Sequence, residues 1–162
     1  MNAEDAVSEE TDRELVHDHI VALPGVVPKA AWGETSYFYN PGLRFERGTY
    51  FATIKDHDGA NDRASGLDRP GVWRLNMGVT KECYVALFGP PPPRPGKGMT
   101  VEGDWDFTAL DRITPHPVYG WMGWVAVLNP SSATWNRCLP LIECAHERAR
   151  ATFGKRIGAA DQ

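Results

Sequence analysis

The stretch "TPHPVYGWMGWVAVLNP", residues 114–130, holds the side chains best suited to chemistry. His116 lies between Pro115 and Pro117, which stiffen the backbone on both sides. Imidazole titrates near neutrality, so a histidine on a rigid turn is placed for acid–base work. Tyr119, three residues on, shares that turn and offers a hydroxyl. His116 and Tyr119 are the candidate catalytic pair. The structural alternative has His116 capping the next strand through a backbone carbonyl, and both readings stay open. On a strand over 121–129, Trp121 and Trp124 face opposite sides, so one walls a pocket and the other joins the core.

A second signal is "VWRLNMGV", residues 72–79. Its alternation puts Trp73, Leu75, Met77 and Val79 on one face and Val72, Arg74, Asn76 and Gly78 on the other. A guanidinium beside an amide suits a carboxylate, phosphate or carbonyl oxygen, and the small Val72 and Gly78 leave room above them. Arg74 and Asn76 are candidate substrate-binding residues, with Trp32, Trp121 and Trp124 as candidate walls. The alternative is a solvated or salt-bridged arginine. The two signals combine only where strand 121–129 pairs beside strand 72–79.

Other constellations fall short of a site. The loop "DHDGANDRASGLD" carries Asp56, His57, Asp58, Asp62 and Asp68, yet Gly59 comes too early for a calcium loop and no Glu closes it. A solvated turn is the expectation there. His17 and His19 lie two apart and cannot share a helix face. No GxSxG, Walker loop, GxGxxG or HExxH occurs. Neither a metal nor a cofactor is expected. Cys83, near a helix start, has only a mild case as a nucleophile.

Composition narrows the classes further. The 162 residues suit one domain with one core. The net charge is -4, with 17 Lys and Arg against 21 Asp and Glu, which disfavours nucleic acid as partner. Three cysteines without a CxxC pair read as reduced thiols rather than a disulfide framework. No apolar run reaches a membrane span, and the acidic N-terminus lacks a signal-peptide pattern. A cytoplasmic protein is expected.

The elements that must hold these side chains follow. Residues 1–9 read as a disordered acidic tail, 10–155 as one domain and 156–162 as a C-terminal tail. A helix is expected from Glu10 to Ala22, capped by Thr11, with Leu15, His19 and Leu23 on its stripe and Val16 and Ile20 beside it. Pro24 and Gly25 stop it. Strands at 31–40 and 48–55 form a hairpin, and 72–79 and 121–129 supply two more strands. A short helix follows Thr80 and ends at Gly89. Residues 89–108 are a Pro/Gly-rich excursion placed to act as a lid or insertion. The last helix is expected over 137–153, with Cys138, Ile142, Ala145, Ala149 and Phe153 as its apolar stripe and Pro140 in its first turn. The result is an α+β domain, an antiparallel sheet with helices packed on one side.

Several strings resemble those of a small bacterial family, the domain-of-unknown-function family 6194. They are "LPGVV", "AWGETSYFY", "FATI", "LDRPGVWRLNMGV", "DFTALDRITPHPVYGWMGWVAVLNP" and the helix around "AHERARA". The element order is also similar to the MmcQ/YjbR-like fold, whose members carry a DNA-binding label by fold similarity. The resemblance implies a compact α+β fold and a bacterial cytoplasmic setting, and no reaction. The function expected is binding of a small molecule in an aromatic-walled cleft, extending to cofactor-independent acid–base catalysis such as proton transfer, isomerisation or cyclisation. The alternative is a nucleic-acid or protein interaction module, in which Arg13, Arg44, Arg47, Arg63, Arg69 and Arg74 would converge on one surface. A small-molecule ligand is the partner expected, and a homodimer is possible.

Overall fold

A computed structural model describes residues 10–160, so the tail expected over 1–9 lies outside the described residues. These residues form one α+β domain. Its six strands are β1 Val26–Ala31, β2 Glu34–Tyr39, β3 Thr49–Lys55, β4 Arg74–Gly78, β5 Thr114–Pro115 and β6 Trp124–Leu128. They pair antiparallel throughout, in the order β1-β2-β3-β4-β6-β5. The helices are α1 Arg13–Val21, α2 Lys81–Phe88 and α3 Ser132–Ala160. Buried side chains of all three meet one face of the sheet in a single core.

Strand alternation sorts the two faces. Leu75 and Met77 of β4, Val125 and Val127 of β6, and Ala52 and Ile54 of β3 point into that core. The α3 stripe of Cys138, Ile142, Ala145, Ala149 and Phe153 is buried against them, as its spacing predicts. Thr80 caps α2 by accepting the Cys83 N–H, and Gly89 ends it at φ 82°.

Local sequence reading fails at several boundaries. Asp12, not Thr11, caps α1 by accepting the Glu14 N–H. Val16 and Ile20 are the buried side chains of α1, while Leu15 is half exposed, because the sheet lies on the neighbouring stripe. Strand β1 was hidden by Pro28, which an edge strand tolerates since one of its N–H rows has no partner. The run 31–40 is not one strand. Trp32 and Gly33, at φ 50° and 72°, form the two-residue turn that joins β1 to β2. Helix α3 starts five residues earlier than expected, at Ser132. The Ser131 hydroxyl accepts the Thr134 N–H, so the cap sits ahead of Pro140 and leaves that proline inside the helix. Residues 156–160 continue α3 rather than beginning a tail. Cys83 of α2 and Cys144 of α3 are joined as a disulfide, against the expectation of free thiols, because α2 folds back onto α3; Cys138 stays free and buried.

The Pro/Gly-rich excursion has no regular structure but is fastened at several points. The Val101 N–H donates to the Pro117 carbonyl at 2.8 Å, and Val101 is buried over Gly120. The Arg94 guanidinium lies 5.0 Å from the centre of the Trp121 ring.

One glycine is required by close approach. Gly78 of β4 pairs with Trp124 of β6, and a Cβ at 78 would lie 2.7 Å from the indole ring. The indole uses that gap to cross β4 and stack on Tyr50 of β3, ring centres 4.9 Å apart. Gly78→Ala is therefore expected to destabilise the fold by about 1–3 kcal/mol in urea denaturation, with a changed tryptophan emission. Wild-type stability and emission in the variant would mean that the ring has room to spare.

Candidate functional site

The sheet face opposite the core would be open to water in a simple two-layer fold. Here it floors a cavity of about 690 Å³. The floor is built from rows of cross-strand neighbours. Glu34, Lys55 and Arg74 form a charged row across β2, β3 and β4. Ser36, Thr53 and Asn76 form the next row. Phe38, Tyr50 and Trp124 form an aromatic row, with the Gly78 gap between the last two. Tyr50 belongs to this face because of a bulge. Tyr37 pairs with Ala52 and Phe38 with Tyr50, so Phe51 is the extra residue and the alternation flips at it.

Arg74 is fully buried. Its Nε donates to Asn76 Oδ1 at 2.7 Å. Nη1 donates to Asp62 Oδ1 at 3.0 Å and to Ser65 Oγ at 2.9 Å, and Nη2 donates to Asp62 Oδ2. Nη2 also lies 3.2 Å from His116 Nε2. The guanidinium fork is thus filled by a carboxylate of the protein itself. Arg74 is thus the salt-bridged arginine that the sequence leaves open as the alternative to a ligand clamp.

Asp62 comes from the loop expected as a solvated turn. That loop is instead locked. Asp58 Oδ1 accepts the Leu67 N–H at 2.8 Å, Asp68 Oδ1 accepts the Asp58 N–H at 3.1 Å, and Ser65 and Leu67 are buried. Gly59 and Asp62 exchange backbone hydrogen bonds, so Ala60 and Asn61 make a tight tip and Asp62 hangs over β4. Burial pushes the Asp62 carboxyl up, but the hydrogen bonds and charge of Arg74 outweigh that and hold it below its usual range.

His116 is placed where the sequence suggests and does something else there. Its Nδ1 accepts two backbone N–H groups, from Val118 at 3.1 Å and Tyr119 at 3.0 Å. It is an acceptor cap, the reverse of the carbonyl cap weighed as the alternative. Two donors on Nδ1 leave the ring proton on Nε2, between Arg74 Nη2 and, at 3.8 Å, Asp62 Oδ2. A second proton would displace both N–H groups. Burial first, and then Arg74, push this imidazole down to about 3. A ring neutral at pH 7 with no free lone pair does not shuttle protons. Tyr119, about half exposed, stands at the cavity with its ring centre 5.0 Å from that of His116.

Of the candidate walls, Trp124 lines the cavity and Trp121 and Trp32 do not. Trp121 precedes β6, in a 3₁₀ turn over Gly120–Met122, so strand alternation does not apply to it. Trp32 is 93% exposed at the β1–β2 turn. Strands β4 and β6 are direct neighbours, so Arg74, Asn76, His116, Tyr119 and Trp124 do share one site. Reading the sequence missed Glu34, Lys55, Thr53, Tyr50 and Asp62. The first three were legible as the polar alternation of β2 and β3. Among the described residues, no three His, Cys, Asp or Glu side chains cluster as a metal site. No described helix is long and apolar enough to cross a membrane.

The molecule is thus an α+β domain with a polar-to-aromatic cavity on its helix-free sheet face. The chain belongs to a family of unknown function, DUF6194, whose model matches residues 11–158. No curated protein and no solved structure matches it.

Two outcomes are expected. Asp62→Ala leaves a buried guanidinium uncompensated and should cost about 3–5 kcal/mol in urea unfolding. Asp56→Ala, which breaks the half-exposed pair with Arg13, should cost under about 1 kcal/mol. Equal costs would show that burial does not set the strength of the Arg74 pair. The second outcome concerns pH. The folded His116 ring refuses a proton that the unfolded chain accepts below about 6.5, so stability should fall with pH from there towards 3, by about 3 kcal/mol at pH 4. The Asp62 contribution is present above about 3.9 and is lost only below that. His116→Asn keeps an acceptor for both N–H groups and cannot titrate, so its stability should be flatter between pH 6.5 and 4. An unchanged slope would place the titration elsewhere.

Proposed function

We propose that this protein binds a small organic molecule on the helix-free face of its sheet. The observation that carries the reading is the floor itself: nine cavity-facing positions on four strands graded from charge, through hydroxyl and amide, to aromatic rings. A sheet face with no ligand to bind has no need to bury Arg74 and Asn76 beneath a locked loop, and pockets of this size with convergent polar groups suit metabolites. His116 is a positioning residue in this reading, and Tyr119 a wall. If the cavity also catalyses proton transfer, isomerisation or cyclisation without a cofactor, the acid–base groups are Lys55 and Glu34, paired at 3.4 Å and partly accessible.

The interaction-module reading gains less support. Arg13 and Arg69 border one hollow, Arg63 another, and Arg47 and Arg74 the main cavity, so no single basic surface gathers them. A homodimer is compatible with the unpaired outer edge of β1. The bacterial cytoplasm is the setting we propose, with the MmcQ/YjbR-like fold as its structural class. The motif strings support the setting and the element order the fold, and reductants there would open the Cys83–Cys144 bridge.

The test is a thermal-shift screen of a metabolite library against wild type and Tyr50→Ala. Tyr50 is 37% exposed, so its truncation leaves the fold intact. A ligand at a hundred times its Kd should stabilise the wild type by about 2.7 kcal/mol, and the variant should lose most of that gain. A library without hits, or hits indifferent to Tyr50, would overturn the reading.

A further inference from the structure

The atoms that already have partners say what the ligand need not supply. Both carboxylates at the cavity floor already have partners within the protein. Asp62 accepts from Arg74 with both oxygens. Glu34 accepts from Thr53 at 3.2 Å and from Lys55 at 3.4 Å. The unused capacity is on the donor side. Arg74 Nε claims Asn76 Oδ1 and thereby fixes the amide, so Nδ2 is the end turned away from the guanidinium. Asn76 is 1% exposed, and the hydrogen bond that its side chain makes among the described residues is the one from Arg74 to Oδ1. The Lys55 ammonium, on the β3 position next to Arg74, has one long bond to Glu34 and two N–H groups over. Arg47 stands exposed at the cavity rim with no partner among the described residues.

Charge agrees with this count of donors. Arg47, Lys55 and Arg74 face two carboxylates, Glu34 and Asp62, with His116 neutral between them. The cavity is therefore net positive inside a chain whose net charge is -4. An anion would meet at least three donors here, on Asn76, Lys55 and Arg47. Beyond the donors lie the rings of Tyr50, Phe38 and Trp124. Flat faces at that distance along the strand suit a planar body attached to the anionic head.

Resting on the binding function proposed above, we infer that the ligand is a planar organic anion. Its anionic head, a carboxylate or phosphate, is held by Asn76 Nδ2 and Lys55 Nζ, and its flat body lies along the Tyr50–Trp124 row.

Matched probe sets differing only in the head group test this. Indole-3-acetate, indole-3-acetamide and tryptamine are the anion, neutral member and cation of one set, and phenylacetate with phenyl phosphate forms the second, each titrated by calorimetry. The anions should bind at least about tenfold tighter than the amide or amine, with affinity falling as salt rises. Asn76→Asp keeps the acceptor that Arg74 needs and replaces the free donor by a carboxylate. It should weaken anion binding by at least about tenfold while unfolding like the wild type. Lys55→Met should weaken it similarly, which keeps the test decisive if the first variant folds poorly. The stronger of phenylacetate and phenyl phosphate identifies the head as carboxylate or phosphate. Tighter binding of the amide or amine, or anion binding indifferent to both substitutions, would overturn the anion assignment while leaving the cavity as a binding site. Absence of binding by every probe, together with a metabolite library without hits, would overturn both.

Discussion

A guanidinium with no exposed surface is the constraint around which this molecule is arranged. Arg74 sits in the middle of the sheet, on β4, with strands on both sides. Burying that charge without partners would cost several kcal/mol. The surroundings are therefore built as a set of acceptors. Asp62 answers both ends of the fork, Ser65 takes a further Nη1 proton, and Asn76 takes Nε. Each acceptor in turn fixes a piece of structure. Asp62 and Ser65 hold the 56–71 loop over the sheet, and Asn76 fixes an amide orientation. His116 settles against the same group and ties the 114–124 segment to it through two backbone N–H groups. One buried charge thus determines where a loop, a turn and two side chains sit.

The aromatic end is set by backbone irregularity rather than by charge. A regular β3 would send Tyr50 into the core with Ala52 and Ile54. The extra residue at Phe51 turns it to the other face. On β4 the absence of a side chain at Gly78 lets Trp124 reach across a strand to meet it. Arg148 of α3 then secures both strands at this point, donating to the Gly78 carbonyl at 2.7 Å and to the Tyr50 carbonyl at 3.0 Å. The core helix and the cavity are linked through these two carbonyls, so packing on one face of the sheet registers on the other.

What was legible in the sequence is what depends on neighbours within a few residues. The alternation from Trp73 to Val79 named the core and cavity faces of β4, and Thr80 with Gly89 bounded α2. The stripe from Cys138 to Phe153 named the buried side of α3. What was hidden depends on partners far along the chain. Pro28 and the Trp32–Gly33 turn disguised an edge strand, and Trp32 read as a wall because nothing local distinguishes a hairpin tip from a strand. Asp62 sits in a loop whose composition matches any solvated turn. Its role becomes visible only through the buried arginine twelve residues later. His116 was found by its flanking prolines, yet its intrinsic basicity does not foretell what the folded turn does to the ring. A rigid turn that offers two N–H donors to one ring nitrogen removes the basicity that made the residue a candidate.

That reversal carries a wider argument about buried polar clusters. Perturbed titration in a cleft draws attention to a residue, but perturbation by saturation and perturbation by readiness look alike from a distance. In this cavity His116 and Asp62 are perturbed by burial and by partners that the protein itself supplies. They hold the scaffold. The groups free to act are the ones left incomplete by the same network. Asn76 shows both conditions in one side chain: its oxygen is held by Arg74, and its amide nitrogen, oriented by that bond, faces the cavity. A strong internal ion pair and an oriented amide at the cavity floor are therefore two consequences of a single placement, with arginine and asparagine two residues apart on a central strand.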